Sequence, residues 1–312
     1  MRNRARSGSV AAPPPSLLGC IEWAARRLDR APLVYGHGTD NPWDEAAALA
    51  FHAAGWPHAA APAAYGWTVP KAARARLAGL VARRVRERIP SAYLTGRTWF
   101  AGHEILVDER VLVPRSPLAE LIEVRFEPFV DAERVRAVVD VGTGSGCIAV
   151  ACAHAFPDAH VDAADVAHGA LDVALANVRL HGLERRVRTV LSDVYGGLGG
   201  RRYDIIASNP PYVPTADVDA LPVEYGHEPR LGLDAGRDGL ATVRKLLAGA
   251  ATHLQPGGLL VVEVGDTEER VRRAWPRLPF LWLEFERGGG GVFMLSRETL
   301  VEHARDVRTR DD

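Results

Sequence analysis

At 312 residues the chain is long enough to bury a full core, and its length suits two domains. A composition of 47% hydrophobic and 25% charged residues excludes a disordered or fibrous chain. No apolar run approaches the roughly 18 residues that span a bilayer, and Cys20, Cys147 and Cys152 are an odd number without metal-ligand spacing, which argues against a disulfide framework and suits a reducing cytoplasm.

The net charge of −1 is unevenly spread. Residues 1–100 hold 14 Lys+Arg against 6 Asp+Glu, and the remainder holds 24 against 33, so +8 balances −9. A basic amino-terminal part implies either an anionic partner, such as RNA or an RNA-rich assembly, or a solvated helix face.

Residues 1–16 are Arg-rich and then Pro-rich, lack the apolar centre of a signal peptide, and read as a disordered tail. Residues 17–90 read as a helical docking domain. Leu17, Leu18, Ile21, Ala24, Ala25 and Leu28 keep helical spacing, and a second helix follows Asn41-Pro42 to Ala54. A third, Lys71 to Ile89, buries Leu77, Leu80, Val81, Val85 and Ile89. Its other face carries Arg74, Arg76, Arg83, Arg84, Arg86 and Arg88, offset only by Glu87, which favours a phosphate-facing surface.

Residues 91–117 change character. Trp99-Phe100, Ile105-Leu106-Val107 and Val111-Leu112-Val113 are short β-like runs, predicting a hairpin linker. A catalytic domain is expected over 118–300, opening with a helix from Leu118 to Phe126, and a flexible tail over 301–312. Strands are predicted at Ala137–Val141, Val161–Ala164, Val187–Leu191, Tyr203–Ala207 and Gly258–Val264. Helices between them are predicted at Cys147–Phe156, Ala167–His181 and Leu240–Leu254. Such alternation implies a parallel sheet covered on both faces. Phe280 to Glu286, four glycines and Val292 to Ser296 then predict a closing antiparallel hairpin. The fold class is therefore α/β: a mostly parallel seven-stranded Rossmann-like sheet of the class I methyltransferase kind, beside a small helical domain.

Asp140-Val141-Gly142-Thr143-Gly144-Ser145-Gly146 follows the first strand and opens a helix, where small residues let a ligand approach the backbone. Dinucleotide sites and methyltransferases share this pattern. Asp165 ends the second strand, where a carboxylate accepts from ribose hydroxyls. Asp193 ends the third and could accept from an adenine amino group, with Val194 against the ring. Each acid could equally be a loop-capping carboxylate. The fourth strand leads into Ser208-Asn209-Pro210-Pro211-Tyr212. Two prolines fix the backbone, so Asn209 and the Pro210 carbonyl form rigid acceptors beside an aromatic ring. That arrangement suits a planar NH2 group; taken alone, it also suits a proline-rich loop with a buried tyrosine. No His or Lys stands at an obvious hydride-transfer position and no Gly-Lys-Ser/Thr ends the loop, which favours S-adenosylmethionine over a nicotinamide or nucleoside triphosphate.

From about Leu17 to Leu300 these residues resemble the HemK-type glutamine-amide methyltransferases. Asn209-Pro210-Pro211-Tyr212 is also similar to the motif of amino-methylating DNA enzymes, which leaves a nucleic-acid amine as an alternative acceptor. Within the family, Tyr35 to Trp43, Arg110 to Pro117, Glu224 to Pro229, Trp282 to Phe285 and Gly291 to Leu295 look closest to the PrmB branch. That branch acts on the third large-subunit ribosomal protein. The release-factor branch has an acidic Pro-Arg-Pro-Glu/Asp-Thr-Glu motif where this chain has Pro114-Arg115-Ser116-Pro117-Leu118-Ala119. The resemblance implies S-adenosylmethionine bound across Asp140, Gly142 to Gly146, Asp165, Asp193, Val194 and Asn209. It implies a substrate amide held by Asn209, Pro210, Pro211 and Tyr212, with neither a metal nor a covalent intermediate.

Overall fold

A computed structural model describes residues 12–57 and 61–307. The chain divides into two compact units, Met1–Thr95 and Gly96–Asp312.

The first unit holds α1 (Leu17–Asp29), α2 (Pro42–Ala54), the short α3 (Ala61–Ala64), α4 (Lys71–Glu87) and α5 (Ser91–Thr95). Local chemistry sets the ends. The Ser16 hydroxyl accepts from Gly19 N at 3.2 Å, and Asn41 Oδ1 accepts from Asp44 N at 2.9 Å, with Pro42 in the first turn. Leu17, Ile21, Ala24 and Leu28 of α1 meet Leu49 and Phe51 of α2 and Leu77 and Val81 of α4 in one apolar cluster. Three expectations change here. The end of the predicted tail is tied down: Pro15 and Pro14 carbonyls accept from Val69 N and Cys20 Sγ, while residues 1–11 lie outside the described residues. Ser91–Thr95, expected in a hairpin linker, is a helical turn. Arg84 is not on a basic face: it is 1% exposed and bonds Glu45 at 2.6 Å and the Val34 carbonyl at 2.9 Å. Arg76 donates to the Ala53 carbonyl and Arg74 to Pro13, so much of this positive charge joins the helices together.

The second unit begins with a hairpin, β1 (Arg97–Phe100) and β2 (His103–Leu106), and helix α6 (Leu118–Glu123). Val111 to Val113 is extended loop rather than strand, because Val113 N donates to the Glu228 carboxylate at 3.0 Å instead of joining a ladder. The sheet and its crossovers follow: β3 (Ala137–Val141), α7 (Cys147–Ala155), β4 (His160–Asp165), α8 (His168–Leu180), β5 (Val187–Leu191), β6 (Tyr203–Ser208), α9 (Thr215–Val218), α10 (Ala241–His253), β7 (Leu254–Glu263), α11 (Glu268–Ala274), β8 (Leu281–Leu283), β9 (Val292–Ser296), α12 (Arg297–Glu302) and α13 (Ala304–Val307). Strand order is β5-β4-β3-β6-β7-β9-β8, parallel through β7 and antiparallel at the last two strands. The fold is the class I methyltransferase sheet that the alternation predicts. The chain leaves β3 toward β4 on one side and returns to β6 on the other, so their carboxyl ends flank a topological switch point.

Two expectations differ. Strand β8 is three residues long, and Gly288 to Gly291 belong to a longer connection rather than a tight turn. Gly291 needs its missing side chain: a Cβ there would stand 2.1 Å from the Gly265 carbonyl oxygen. Residues 301–307, expected in a flexible tail, are mostly helical. Val307 is buried, and its carbonyl accepts from Trp275 Nε1 at 3.1 Å; residues 308–312 lie outside the described residues. Helix α11 escaped the pattern because Val271 is its one buried residue. Among the described residues no helix is long and apolar enough to cross a membrane.

The Arg84–Glu45 pair should dominate the stability of the first unit. Removing one member of a buried ion pair costs about 3–5 kcal/mol. Arg84→Met should destabilise the unit by roughly that amount in urea, while Arg83→Met, at an exposed pair with Glu87, should change it by less than about 1 kcal/mol. Equal effects would show that burial of the pair is irrelevant.

Candidate active site

A cavity of about 430 Å³ opens beyond the carboxyl ends of β3, β4 and β6. Gly142 to Ser145 form one wall, Asp165, Asp193 and Val194 a second, and Asn209 to Tyr212 a third; Arg110 to Ser116 also line it.

The wall at β3 follows from backbone geometry. Gly142 and Gly144 have φ of 74° and 53°, a region that favours glycine, and a Cβ on either would meet no atom within 4 Å. Their missing side chains leave backbone open to a ligand. Three bonds hold the loop: Gly142 N and Thr143 N donate to the Ala164 carbonyl, and Gly144 N to Asp165 Oδ2 at 2.9 Å. Asp165 Oδ1 accepts from Ala167 N, so this carboxylate both shapes the loop and lines the cavity. Burial pushes its pKa up.

Two of the residues expected at the cofactor stand outside the cavity lining. Gly146 is not in the cavity wall: its Cβ would sit 3.1 Å from the Ala174 Cβ, so this glycine lets α7 start against α8. Asp140 is fully buried behind the loop, outside the cavity lining. Its Oδ2 accepts from Thr143 Oγ1 at 2.5 Å and from Ala149 N at 3.1 Å, and Oδ1 has no hydrogen-bond partner among the described residues. Burial pushes its pKa up to about 7. Asp140 therefore holds the glycine loop from behind.

Asp193 is exposed and pairs with Lys245 Nζ at 2.6 Å, and both line the cavity. Val194 has φ of 51°, a strained conformation for a β-branched residue. The bond from Ser192 Oγ to the Val194 carbonyl, 2.7 Å, helps hold it there.

The third wall is set by β6. Ser208 lies opposite Val141 in the sheet, and its hydroxyl donates to the Val141 carbonyl at 2.7 Å. Asn209 is the next residue. Its Nδ2 donates a long bond, 3.5 Å, to the Arg115 carbonyl, so Oδ1 is turned away from that partner. Among the described residues no hydrogen bond engages Asn209 Oδ1 or the Pro210 carbonyl. Arg115 is itself clamped: both terminal nitrogens bond Glu228, at 2.5 and 2.7 Å, and its guanidinium lies 5.3 Å from the Tyr225 ring centre. Glu228 is buried and also accepts from Val113 N. Tyr212 is half-buried. A Cβ on Gly265 would meet its ring at 2.9 Å, and one on Gly239 would meet its carbonyl oxygen at 2.6 Å.

Tyr212 also lines a second cleft with Pro117, Glu263, Gly265 and Gly289 to Gly291. Glu263 ends β7, accepts from the Ser116 hydroxyl, and is pushed up to about 7 by burial. Arg115, Glu228, Glu263 and Lys245 were not among the expected site residues. Arg115 and Glu228 both stand in motifs that carry the family resemblance, yet 113 positions separate them and no spacing rule pairs them.

A methyltransferase small-domain model matches residues 126–223. The chain is 47% identical over 289 residues to the ribosomal protein uL3 glutamine methyltransferase of Xylella fastidiosa (strain 9a5c), covering 92% of each. The same-named protein of Xanthomonas campestris pv. campestris is 44% identical, covering 94% of each. This chain belongs to that methyltransferase family. A T. thermophilus 16S rRNA N2 G1207 methyltransferase, solved with AdoMet and guanosine, covers 64% of this chain and 49% of its own, at 19% identity and a TM-score of 0.45. Members of the family use S-adenosylmethionine, and the cleft suits it: an open glycine loop, a carboxylate at the end of β4 and an apolar edge at Val194 lie around one cavity.

The two carboxyls pushed up to about 7, Asp140 and Glu263, imply a pH-dependent stability. Unfolded Asp and Glu titrate near about 4. Between about pH 4 and 7 the folded chain therefore holds more protons at Asp140 and Glu263 than the unfolded chain does. Their contribution to stability falls as pH rises through that window. Asp140→Asn keeps an acceptor for Thr143 and should flatten the fall of urea midpoint between about pH 5 and 7. Identical slopes for wild type and variant would remove Asp140 as its source.

Proposed function

We propose that this chain transfers a methyl group from S-adenosylmethionine to the side-chain amide nitrogen of a glutamine in ribosomal protein uL3. The observation that carries the reading is the fixed direction of Asn209. Its NH2 is turned to the Arg115 carbonyl, which leaves Oδ1 and the Pro210 carbonyl as adjacent acceptors in the cavity wall.

Gly142 to Ser145, Asp165, Asp193 and Val194 would hold the cofactor, with Asp165 accepting from ribose hydroxyls. When bound, the cofactor supplies an electrophilic methyl group on a cationic sulfur. The chain supplies orientation. An amide nitrogen is a poor nucleophile because its lone pair is delocalised into the carbonyl. Asn209 Oδ1 and the Pro210 carbonyl accept its two N–H bonds and fix the nitrogen's approach, and such positioning can contribute about 7–11 kcal/mol at the extreme. As the N–C bond forms, the sulfur–methyl bond would break with its electron pair left on sulfur, and the nitrogen would lose one proton along the N–H bond directed at one of these acceptors and on to solvent water. Tyr212 packs against the amide plane, and Pro211 keeps the ring in place. Because Tyr212 lines both clefts, the substrate side chain enters from the side of Pro117, Gly265 and Glu263. The helical unit docks the substrate, and the exposed Arg83 and Arg86 meet RNA if uL3 is modified within an assembling particle. The work is cytoplasmic, where that substrate is made.

Asn209→Ala should lower kcat about 100- to 1,000-fold and leave cofactor affinity nearly unchanged, since orientation is lost rather than binding. The assay uses labelled cofactor with uL3, a release factor, and nucleic acid in parallel. Label confined to the release factor would move the chain to the sister branch, and label in nucleic acid would overturn the class.

Glu228 acts through Arg115. Glu228→Gln should reduce kcat by up to about 100-fold, because a displacement near 1 Å at Asn209 is enough. Cofactor affinity and the apparent Michaelis constant for uL3 should hold. A change in cofactor affinity with kcat intact would refute the positioning role.

A further inference from the structure

Three histidines distant in sequence converge away from the active site. His103 opens β2, His154 lies in the last turn of α7, and His181 caps the carboxyl end of α8. One ligand nitrogen from each falls within 4.8 Å of the other two. Helices α7 and α8 run against the parallel strands they connect. Their carboxyl ends therefore lie at the edge of the sheet opposite the glycine loop.

We propose that His103, His154 and His181 bind a divalent transition-metal ion of the zinc class. Geometry carries the assignment. His181 Nε2 lies 2.7 Å from the Glu104 carbonyl oxygen, which can only accept, so the ring proton is on Nε2 and the Nδ1 lone pair is available. That Nδ1 lies 3.3 Å from His154 Nε2. Two nitrogens bound to tetrahedral zinc at about 2.05 Å stand about 3.3–3.4 Å apart, so this pair already has the separation of two ligands. A ligating histidine whose second nitrogen donates to a backbone carbonyl is the usual outer support of such sites. The His103 ring stacks on His154 with centres 4.3 Å apart. Bringing its nitrogen to ligand distance needs a shift of at most about 1.5 Å against the tetrahedral edge.

The surroundings select the ion. Two helix carboxyl ends point here, and their dipoles favour positive charge. Arg186, whose guanidinium donates to the Ala153 and Phe156 carbonyls, is a positive neighbour of His154. The three ligand groups include no carboxylate. An ion held by charge and oxygen ligands, such as calcium or magnesium, is thereby disfavoured, whereas one held by imidazole lone pairs is favoured. The half-exposed position leaves room for water as a fourth ligand.

The ion would staple the turn end of the β1–β2 hairpin to α7 and α8. The other end is already fastened: Asn177 accepts from Leu106 N at 2.7 Å and donates to the Leu106 and Ser145 carbonyls. A stapled hairpin therefore bears on the residue that holds the glycine loop.

The test uses untagged full-length protein stripped with a chelator. Titration with zinc chloride in a calorimeter should show one saturable equivalent, and thermal melting should rise by several degrees at excess zinc. Cobalt(II) should give the visible absorption of a four-coordinate nitrogen site. His154→Ala changes an exposed side chain, so the fold is expected to survive, checked by circular dichroism. It should weaken zinc binding at least about tenfold, as should His103→Ala. The proposal is overturned if wild type shows no saturable binding, if both variants bind zinc like wild type, or if magnesium stabilises the protein equally.

Discussion

The site depends on one parallel pairing. Strands β3 and β6 lie side by side in register, Val141 opposite Ser208, although 67 residues separate them. Both strands end there, so the glycine loop and Asn209-Pro210-Pro211-Tyr212 leave the sheet at the same level. A one-residue slip would turn Ser208 to the other face and break its bond to the Val141 carbonyl. It would also carry Asn209 about 3.3 Å along the strand axis, beyond the tolerance of an orienting hydrogen bond. The all-apolar inner residues Val138, Val139, Ile205 and Ile206, all fully buried, make that slip costly. Core burial and the geometry of catalysis are thus enforced by the same contact.

Around that pairing the chain buries charge to fix backbone. Asp140 sits behind the glycine loop and Glu228 behind Arg115, and neither is placed to meet the substrate directly. Each holds several backbone or side-chain donors at once, which a neutral, single-acceptor residue would do less well. The two differ in how their charge is met. Glu228 has a bidentate guanidinium partner; Asp140 has a hydroxyl, one backbone N–H and an oxygen left over. The glycine loop is consequently the less satisfied part of the site.

Much of this was legible in the sequence. Strands β3, β5 and β9 have the predicted bounds, and the other elements of the central alternation match within one to four residues. Buried parallel strands are runs of Val, Ile and Ala between Gly and Asp, and that pattern is local. The backbone conformation of Gly142 and Gly144 and the place of Asn209 at the end of β6 were legible for the same reason: φ preference and proline restriction act over a few residues. What was not legible is tertiary. Arg84 looked like one more cation on a basic helix face; only the fold brings Glu45 to it. Gly146 and Asp140 belong to the same motif as Gly144, yet one packs against Ala174 and the other faces the core. Val113 looked like a strand residue because its burial is real; its hydrogen bond goes to a side chain instead of a strand.

Tyr212 is the last link between these layers. The ring is wedged against Gly265, and its carbonyl against Gly239, with no room for a side chain at either glycine. Gly265 in turn faces Gly291, the end of the glycine run before β9. The antiparallel end of the sheet therefore shapes the cleft that Tyr212 shares with Glu263, while the parallel part shapes the cavity beside the glycine loop. A Cβ at Gly265 would meet the Tyr212 ring at 2.9 Å and displace it. Such a division lets acceptor choice vary through the residues around Gly265 and Gly288 to Gly291 while the cofactor cradle stays unchanged. The Asn-Pro-Pro-Tyr stretch alone does not distinguish an amide from a nucleobase amine, so the residues that differ between such acceptors are to be sought beyond it, where Tyr212 meets Glu263 and Gly265 in the second cleft.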